Sequence, residues 1–210
     1  MTVVRHPMVL EQLTLARDKN TNQVAFRKAI FRLGRLMAHE FLRTLETQEF
    51  PVETPLGTTT GYRVKGNDKI EIILILRASI PFVDGMYKEL PMARTGIISA
   101  WRGHSPDFPI EISYAKIPDV HPDDIVIIAD PMLATGHTLL RVARKTLERG
   151  RPKRLVFFSV IATEAGIRHV SDEFPEAEFY TCAIDQGLDE RGYIVPGLGD
   201  AGDRAFGSPH

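Results

Sequence analysis

Small and hydroxyl side chains cluster in one short segment of the sequence, residues 130–138. An apolar run, Ile125–Ala129, precedes this segment, and a helical pattern from Leu139 to Arg149 follows it. At the start of a helix the backbone N–H groups lack intrahelical partners, and the helix dipole adds partial positive charge. The pattern therefore predicts a binding site for a phosphate monoester at residues 134–138.

Individual residues of this segment add to the prediction. Thr135 and Thr138 can donate hydroxyl hydrogen bonds, and Gly136 permits close approach of the backbone. Asp130 is predicted at the C-terminal end of a buried strand, where ligands collect in open α/β sheets, and there it would accept hydrogen bonds from sugar hydroxyls. The alternative is an ordinary strand–turn–helix in which Thr138 or Asp130 caps the helix. The sequence contains neither a Walker phosphate loop nor a Gly-x-Gly-x-x-Gly dinucleotide motif.

Two arginines also follow apolar runs. Arg77 comes directly after Ile70–Leu76, a position that calls for an anionic partner or solvent, and a guanidinium binds phosphate groups in a bidentate manner. A structural ion pair with a nearby carboxylate is the alternative. Arg102 ends the run Ile97–Trp101 before a loop, where a solvated arginine is the alternative.

The elements that would position these residues form an alternation of short, continuously apolar runs with longer mixed segments. Such runs are typical of parallel strands buried on both faces, so the sequence predicts one doubly wound, mainly parallel α/β domain over residues 1–210. An apolar face with spacings of three and four predicts an N-terminal helix from Asn22 to Leu45. Residues 50–66 are predicted to form a hairpin arm, and the glycine-rich residues 185–210 a functional loop region. The predicted strands are Ile70–Leu76, Ile97–Trp101, Ile125–Ala129, Leu155–Ile161 and Phe179–Ile184.

Composition narrows the function classes. The formal net charge is -1, from 26 basic and 27 acidic residues, so no general attraction to nucleic acid or to an anionic membrane is expected. The sequence has no apolar run of 18 residues and no secretory signal pattern, which predicts a soluble, cytoplasmic protein. Its one cysteine, Cys182, is expected to be buried in a strand, and its seven scattered histidines do not predict a fixed metal site.

Several motifs resemble those of one enzyme family, the uracil phosphoribosyltransferases. Residues 130–136, Asp-Pro-Met-Leu-Ala-Thr-Gly, resemble the family's binding signature for phosphoribosyl pyrophosphate (PRPP). Other blocks match in order, and the last is the most specific because other phosphoribosyltransferases lack Tyr-Ile-Val-Pro-Gly-Leu-Gly-Asp. These blocks are Ile75-Leu-Arg-Ala78, Ala93-Arg-Thr-Gly96 and Gly192-Tyr-Ile-Val-Pro-Gly-Leu-Gly-Asp-Ala-Gly-Asp-Arg204.

The resemblance implies a type I phosphoribosyltransferase fold and a reaction in which uracil N1 takes the phosphoribosyl group of PRPP, giving UMP and pyrophosphate. The catalytic residues that it implies are Arg77, Arg102 and Asp200. The implied PRPP contacts are Arg77, Arg102, Asp130, Pro131, Met132, Leu133, Ala134, Thr135, Gly136, His137, Thr138 and Asp200, and the implied uracil contacts are Tyr193, Ile194, Gly199, Asp200 and Ala201. Asp203 and Arg204 are expected to form a local ion pair that holds the loop.

Partners follow from the same resemblance. Mg²⁺ is expected to enter with PRPP, held by phosphate and hydroxyl oxygens and water rather than by an all-protein cage. A homodimer or homotetramer is implied, and some family members are activated by GTP and inhibited by CTP.

The sequence departs from the family pattern at His137-Thr138, where Gly-Ser is usual, at Ser79, where Gly is usual, and at Gly103-His-Ser105, where acidic residues are usual.

Two other functions remain open at this point. One is a phosphoribosyltransferase for another base. The other is a regulatory protein that keeps the fold and binds RNA, against which stand the net charge of -1 and the lack of a basic cluster with interleaved aromatics.

Overall fold

The computed structural model of the chain describes residues 1–102 and 110–208. The strands are β1 (Thr2–Val3), β2 (Thr47–Thr54), β3 (Gly57–Val64), β4 (Ile70–Leu76), β5 (Arg94–Arg102), β6 (Ile110–Lys116), β7 (Ile125–Ala129), β8 (Met132–Leu133), β9 (Arg154–Thr163), β10 (Glu178–Asp185), β11 (Gly187–Leu188) and β12 (Ile194–Val195). The helices are α1 (Pro7–Arg17), α2 (Gln23–Leu42), α3 (Ile80–Met86), α4 (His137–Leu147), α5 (Glu164–Glu173) and α6 (Ala201–Phe206).

A mainly parallel sheet forms the centre of the molecule. Its strand order is β1-β10-β9-β7-β4-β5-β6, and the short β8 also pairs with β9. Each of these neighbours is parallel except β6, which runs antiparallel to β5. Leu74 of β4 lies opposite Ala129 of β7 and Ile97 of β5, so the C-terminal ends of these central strands meet at one edge of the sheet.

Both faces of the sheet are buried, as the continuous apolar runs predict. Along β4, Ile70, Ile72 and Leu74 pack on the side of α1, α2, α3 and α6, whereas Ile73 and Ile75 pack on the side of α4 and α5. The five predicted strands are confirmed with small extensions at their ends. Cys182 is buried within β10, and burial raises the pKa of its thiol to about 12. The predicted fold class is therefore confirmed.

The N-terminal region differs from the prediction mainly at its boundaries. Helix α2 begins at Gln23, where the Asn22 side chain accepts a hydrogen bond from the Ala25 N–H at 2.9 Å. It ends at Leu42 rather than Leu45. The hairpin formed by β2 and β3 begins at Thr47 and carries the fully exposed Leu56 at its turn.

None of the helices in the described ranges combines the length and the apolarity that crossing a bilayer would need.

Two C-terminal boundaries were predicted wrongly. Helix α4 begins at His137, two residues before the predicted Leu139, so His137 and Thr138 belong to its first turn. The expectation of an irregular stretch after Asp185 is also wrong in part. That stretch contains the short β11–β12 ladder and helix α6, whose start is capped by the Asp200 side chain accepting from the Asp203 N–H at 2.9 Å.

Candidate active site

A cavity of about 470 Å³ lies beside the C-terminal ends of β4 and β7. Its walls come from four parts of the chain that are distant in sequence. They are the end of β4 with residues 77–78, the segment 130–139, residues 191–194 and residues 200–203. Ala100 and Trp101 of β5 complete the lining. The parallel register of the central strands therefore brings the predicted phosphate, ribose and base residues around one space.

The segment 130–138 has the geometry of an anion site at a helix start. Gly136 is the N-cap of α4 and has a φ of 84°, a left-handed conformation that favours glycine, so the N-cap residue itself has no capping side chain. The Thr135 hydroxyl oxygen accepts from the His137 N–H only at the long distance of 3.5 Å. The alternative in which Thr138 or Asp130 caps the helix is therefore wrong. Ala134, Thr135 and Thr138 line the cavity together with Gly136, so the uncapped start of α4 faces it.

Asp130 follows β7 and faces the same cavity. Its carboxylate accepts a hydrogen bond from the Met132 N–H at 3.2 Å. Burial raises the pKa of Asp130 to about 6, and the nearby Asp200 carboxylate adds to the rise while the Met132 hydrogen bond opposes it. A carboxylate whose charge is destabilised in this way is stabilised most by a ligand that offers hydroxyl donors or positive charge.

Arg77 follows β4 and lines the same cavity as Asp130. Its Nη2 lies 3.2 Å from Oδ1 of Asp203, and both side chains are partly exposed, at 46% and 37%. An ion pair in contact with solvent contributes little to stability, so a ligand phosphate can replace Asp203 as the partner of Arg77. The prediction of an ion pair between Asp203 and Arg204 is wrong, because Asp203 pairs with Arg77 and the Arg204 guanidinium binds backbone carbonyls.

Arg204 instead binds backbone carbonyls. Its guanidinium donates to the carbonyl oxygens of Ala16, Leu198 at 2.7 Å and Asp18 at 2.6 Å, and lies over the Phe26 ring at 4.3 Å. These contacts tie the segment before α6 to the N-terminal helices. Five donors in a fixed fork make arginine suited to this task.

A second arginine, Arg17 at the end of α1, holds the same segment. Arg17 forms a bidentate pair with Asp185 at 2.6 and 2.8 Å and also donates to the Gly197 carbonyl at 2.7 Å. The Asp185 carboxylate accepts from the Gly197 N–H at 3.0 Å. We call residues 185–200 the C-terminal loop, and these contacts fix it to the end of β10.

The structure brings most of the predicted site residues together but not all of them. Those that line the cavity are Arg77, Asp130, Met132, Leu133, Ala134, Thr135, Gly136, Thr138, Tyr193, Ile194 and Asp200. Pro131, His137, Gly199 and Ala201 are not among the lining residues, and Ala201 is buried at the start of α6. Arg102 is the last residue of β5, and its side chain lies outside the described part of the structure.

Sequence reasoning missed several contributors to the site, among them Trp101, Asp203 and His169. Trp101 lines the cavity, and Asp203 pairs with Arg77. The spacing Asp200-x-x-Asp203 is a helix-start pattern that could have placed Asp203 in a first turn. His169 contacts the Thr135 carbonyl from α5, 34 residues away, and no local pattern signals such a contact.

Comparison with solved structures defines the class of protein. The chain matches the AQ2163 protein from Aquifex aeolicus with a TM-score of 0.90 and 30% sequence identity, over 98% of this chain and 97% of that one. It also matches a hypoxanthine-guanine phosphoribosyltransferase from Bacillus anthracis with a TM-score of 0.50 and 13% identity, over 78% and 82% of the two chains. The fold is that of the type I phosphoribosyltransferases.

Sequence comparison narrows the class to a family. The family model described as uracil phosphoribosyltransferase matches residues 3–208. A protein of that name from Thermococcus gammatolerans is 52% identical, over 97% of this chain and 91% of the relative, and one from Pyrococcus furiosus is 49% identical over 97% and 88%. The chain belongs to the uracil phosphoribosyltransferase family.

Proposed function

We propose that this protein transfers the phosphoribosyl group of PRPP to N1 of uracil in this cavity, releasing UMP and pyrophosphate. The observation that carries the proposal is that the uncapped start of α4, Arg77 and Tyr193 all line the same cavity. Residues 1–210 act as one phosphoribosyltransferase domain, with residues 185–210 as its base-binding region.

The segment 130–138 takes the 5-phosphoribosyl end of PRPP. Backbone N–H groups at the start of α4 and the Thr135 and Thr138 hydroxyls donate to the 5-phosphate. Asp130 accepts hydrogen bonds from the ribose hydroxyls. The parallel strands β4 and β7 hold these groups on rigid elements, which keeps the anomeric carbon at a fixed distance from the base.

Arg77 and Arg102 take the pyrophosphate end. Displacement of pyrophosphate leaves positive charge on the ribose ring and negative charge on the leaving group, so the main task of the protein is to stabilise the departing anion. Arg77 can exchange its exposed pair with Asp203 for a bidentate pair with a phosphate. No covalent nucleophile is required, because uracil N1 attacks the sugar directly.

The donor set at the cavity also fits Mg²⁺ bound together with PRPP. Asp130 and Asp200 are carboxylates that line the cavity and would hold it. Within residues 1–102 and 110–208 no group of three or more His, Cys, Asp or Glu side chains could hold a metal. Magnesium keeps several waters and favours phosphate oxygens over an all-protein cage. When bound, it supplies positive charge to the departing pyrophosphate.

The C-terminal loop presents uracil. Tyr193 and Ile194 line the cavity beside Asp200. Backbone N–H and C=O groups around these residues would pair with the N–H and C=O groups of the base. Arg17 and Arg204 hold this loop through its carbonyls, which fixes the order of donors and acceptors that the base meets.

Assembly and regulation belong to the same proposal. The β2–β3 hairpin exposes Leu56 and Tyr62, apolar side chains that a second copy of the chain would cover in a homodimer or homotetramer. GTP activation and CTP inhibition follow the pattern of some family members. Sedimentation of the protein tests the assembly, and a monomer under all conditions would rule it out. Rates of UMP formation with and without each nucleotide test the regulation.

Product analysis tests the reaction. The protein is incubated with PRPP, uracil and magnesium, and UMP and pyrophosphate are quantified. Equal amounts of the two products are expected, with product formation lost when magnesium is chelated. Absence of UMP at saturating PRPP and uracil would refute the proposed function.

A further inference from the structure

The side of the phosphate segment that is turned away from the cavity packs against α5. The Thr163 hydroxyl donates to the Ala134 carbonyl at 2.7 Å and accepts from the Gly166 N–H at 2.9 Å. A Cβ added at Gly166 would come within 2.2 Å of the Ala134 carbonyl oxygen. The backbone of the phosphate segment and the backbone of α5 are therefore in direct contact.

His169 makes the next contact along this helix. Its Nδ1 lies 2.8 Å from the Thr135 carbonyl oxygen. Because a carbonyl oxygen only accepts hydrogen bonds, Nδ1 carries the proton and donates. The His169 ring also meets the His137 ring edge to face, with 4.6 Å between their centroids, which restricts its orientation.

This contact fixes the direction of a peptide group. In a planar trans peptide the C=O and the N–H point in opposite directions. With its C=O directed at His169, the Thr135–Gly136 peptide must direct the Gly136 N–H away from α5. The Ala134 carbonyl, held by Thr163, orients the Thr135 N–H in the same way. The Ala134 and Thr135 carbonyl oxygens therefore point away from an anion bound by these N–H groups, which avoids electrostatic repulsion.

We infer that His169 is a positioning residue for the 5-phosphate of PRPP, acting through the Thr135–Gly136 peptide. The inference rests on the proposed function, which places the 5-phosphate at this segment. Substrate, transition state and UMP all carry the 5-phosphate, so His169 supports their binding equally. Loss of such uniform binding raises KM and leaves kcat unchanged.

Two variants of His169 separate positioning from packing. His169→Ala removes the donor at a half-buried helix position that alanine suits. His169→Asn keeps an N–H donor close to the place of Nδ1. His39→Ala, at an exposed histidine of α2, is the matched control. The dissociation constants of UMP and of pyrophosphate are measured by calorimetry for each, together with kcat and the KM for PRPP.

His169→Ala is expected to weaken UMP binding and raise the KM for PRPP about tenfold, the effect of weakening one hydrogen bond to a charged group. Pyrophosphate binding and kcat should stay unchanged, and His169→Asn and His39→Ala should match the wild type. The inference is overturned if His169→Ala binds UMP normally, if UMP and pyrophosphate weaken together, or if His169→Asn is as weak as His169→Ala. A wild-type protein that does not bind UMP would instead refute the proposed function on which the inference rests.

Discussion

Arg77 and Asp130 follow neighbouring strands and face one cavity with opposite charges, and their surroundings differ. Arg77 shares solvent with Asp203, so its charge is available to an incoming anion at little cost. Asp130 is partly buried and is repelled by Asp200, so its charge is costly until a ligand stabilises it. Under the proposed function PRPP would satisfy both residues, because it carries a polyanion and sugar hydroxyls into the same space.

Replacing Arg77 tests its role at the leaving group. Arg77→Ala should lower kcat at least about 100-fold, since a group aimed at developing charge contributes on this scale, and the free energy of unfolding should change by less than about 1 kcal/mol because the pair with Asp203 is exposed. Steady-state kinetics and urea unfolding measure the two effects. Arg35→Ala, which removes the exposed pair with Glu89, is the control. Near-normal UMP formation by Arg77→Ala would contradict the assigned role.

The raised pKa of Asp130 predicts a pH dependence of kcat/KM for PRPP. This parameter reports ionisations of the free enzyme, and Asp130 in the free enzyme loses its charge as the pH falls through about 6. The carboxylate accepts the ribose hydroxyls more strongly than the acid does, so kcat/KM should fall on the acid side of about pH 6. Kinetics between pH 4.5 and 8.5 measure the profile.

Two variants assign this acid limb to Asp130. In Asp130→Asn, the fall of kcat/KM at acid pH that is due to the enzyme should disappear. Only the fall that is due to protonation of PRPP itself should remain. Asp200→Asn keeps the cap of α6, since asparagine caps helices as well as aspartate does, and removes the repulsion. Its limb should therefore move to lower pH. A limb that is identical in all three proteins would exclude Asp130 as its origin.

Among the structural elements, the C-terminal loop depends most on distant contacts. Arg204 of α6 reaches carbonyls at the end of α1 and at Leu198, and Arg17 of α1 reaches the Gly197 carbonyl. The two arginines thus fix the loop to the helical layer that packs beside β10. These hydrogen bonds satisfy the Gly197 and Leu198 carbonyls and so restrain this part of the loop.

Arg204→Lys tests whether this fixation serves the base. An ammonium cannot reproduce the fork of donors to three carbonyls, so the KM for uracil should rise about 10-fold, with stability lowered by roughly 1–3 kcal/mol, and the KM for PRPP should stay constant. Initial rates at varied uracil and urea unfolding give the values. Arg35→Lys serves as the matched control on α2. An equal rise in both KM values would show that Arg204 supports the fold in general.

The sequence predicts elements better than it predicts their contacts. Apolar runs such as Ile70–Leu76, in which Glu71 is the one charged residue, indicate strands because burial on both faces requires apolar side chains at nearly every position. The start of α4 is misplaced by two residues because His137 and Thr138 are polar and carry no helical periodicity. The Arg77–Asp203 and His169–Thr135 contacts join residues far apart in sequence, and only the folded sheet brings them together.

At the scale of the whole molecule, the two edges of the parallel sheet have different roles. The cavity lies at the C-terminal ends of the strands, while a cluster of charged groups is buried near the opposite ends. There Glu71 and Asp124 share Arg94, and Glu71 is fully buried. In the described part of the chain neither carboxylate oxygen of Glu71 has a hydrogen-bond partner. Burial raises the pKa of Glu71 to about 7, with Asp124 and Asp119 adding to the rise and Arg94 opposing it.

This cluster predicts how stability depends on pH. A carboxyl group with a raised pKa binds more protons in the folded state than in the unfolded state, so its contribution is present below pH 4.5 and is lost as the pH rises to about 7. The loss is roughly 3 kcal/mol at most, at about 1.4 kcal/mol per pKa unit. Urea unfolding of the wild type and of Glu71→Gln at pH 5 and pH 8 measures it. The free energy of unfolding of the wild type minus that of Glu71→Gln should fall between pH 5 and pH 8. A difference that stays constant or rises over this range would contradict the prediction.

The choice of base is the central claim about the whole molecule, because the phosphate segment and Arg77 would serve any phosphoribosyltransferase, whereas the C-terminal loop alone would select uracil. The most direct test is kcat/KM with PRPP and magnesium for uracil, hypoxanthine and orotate, measured side by side. We expect nucleotide formation with uracil and rates at least about 100-fold lower with the other two bases, since their extra ring or carboxylate leaves backbone groups of the loop unpaired. Equal or faster reaction with hypoxanthine or orotate would contradict the assignment of the C-terminal loop to uracil.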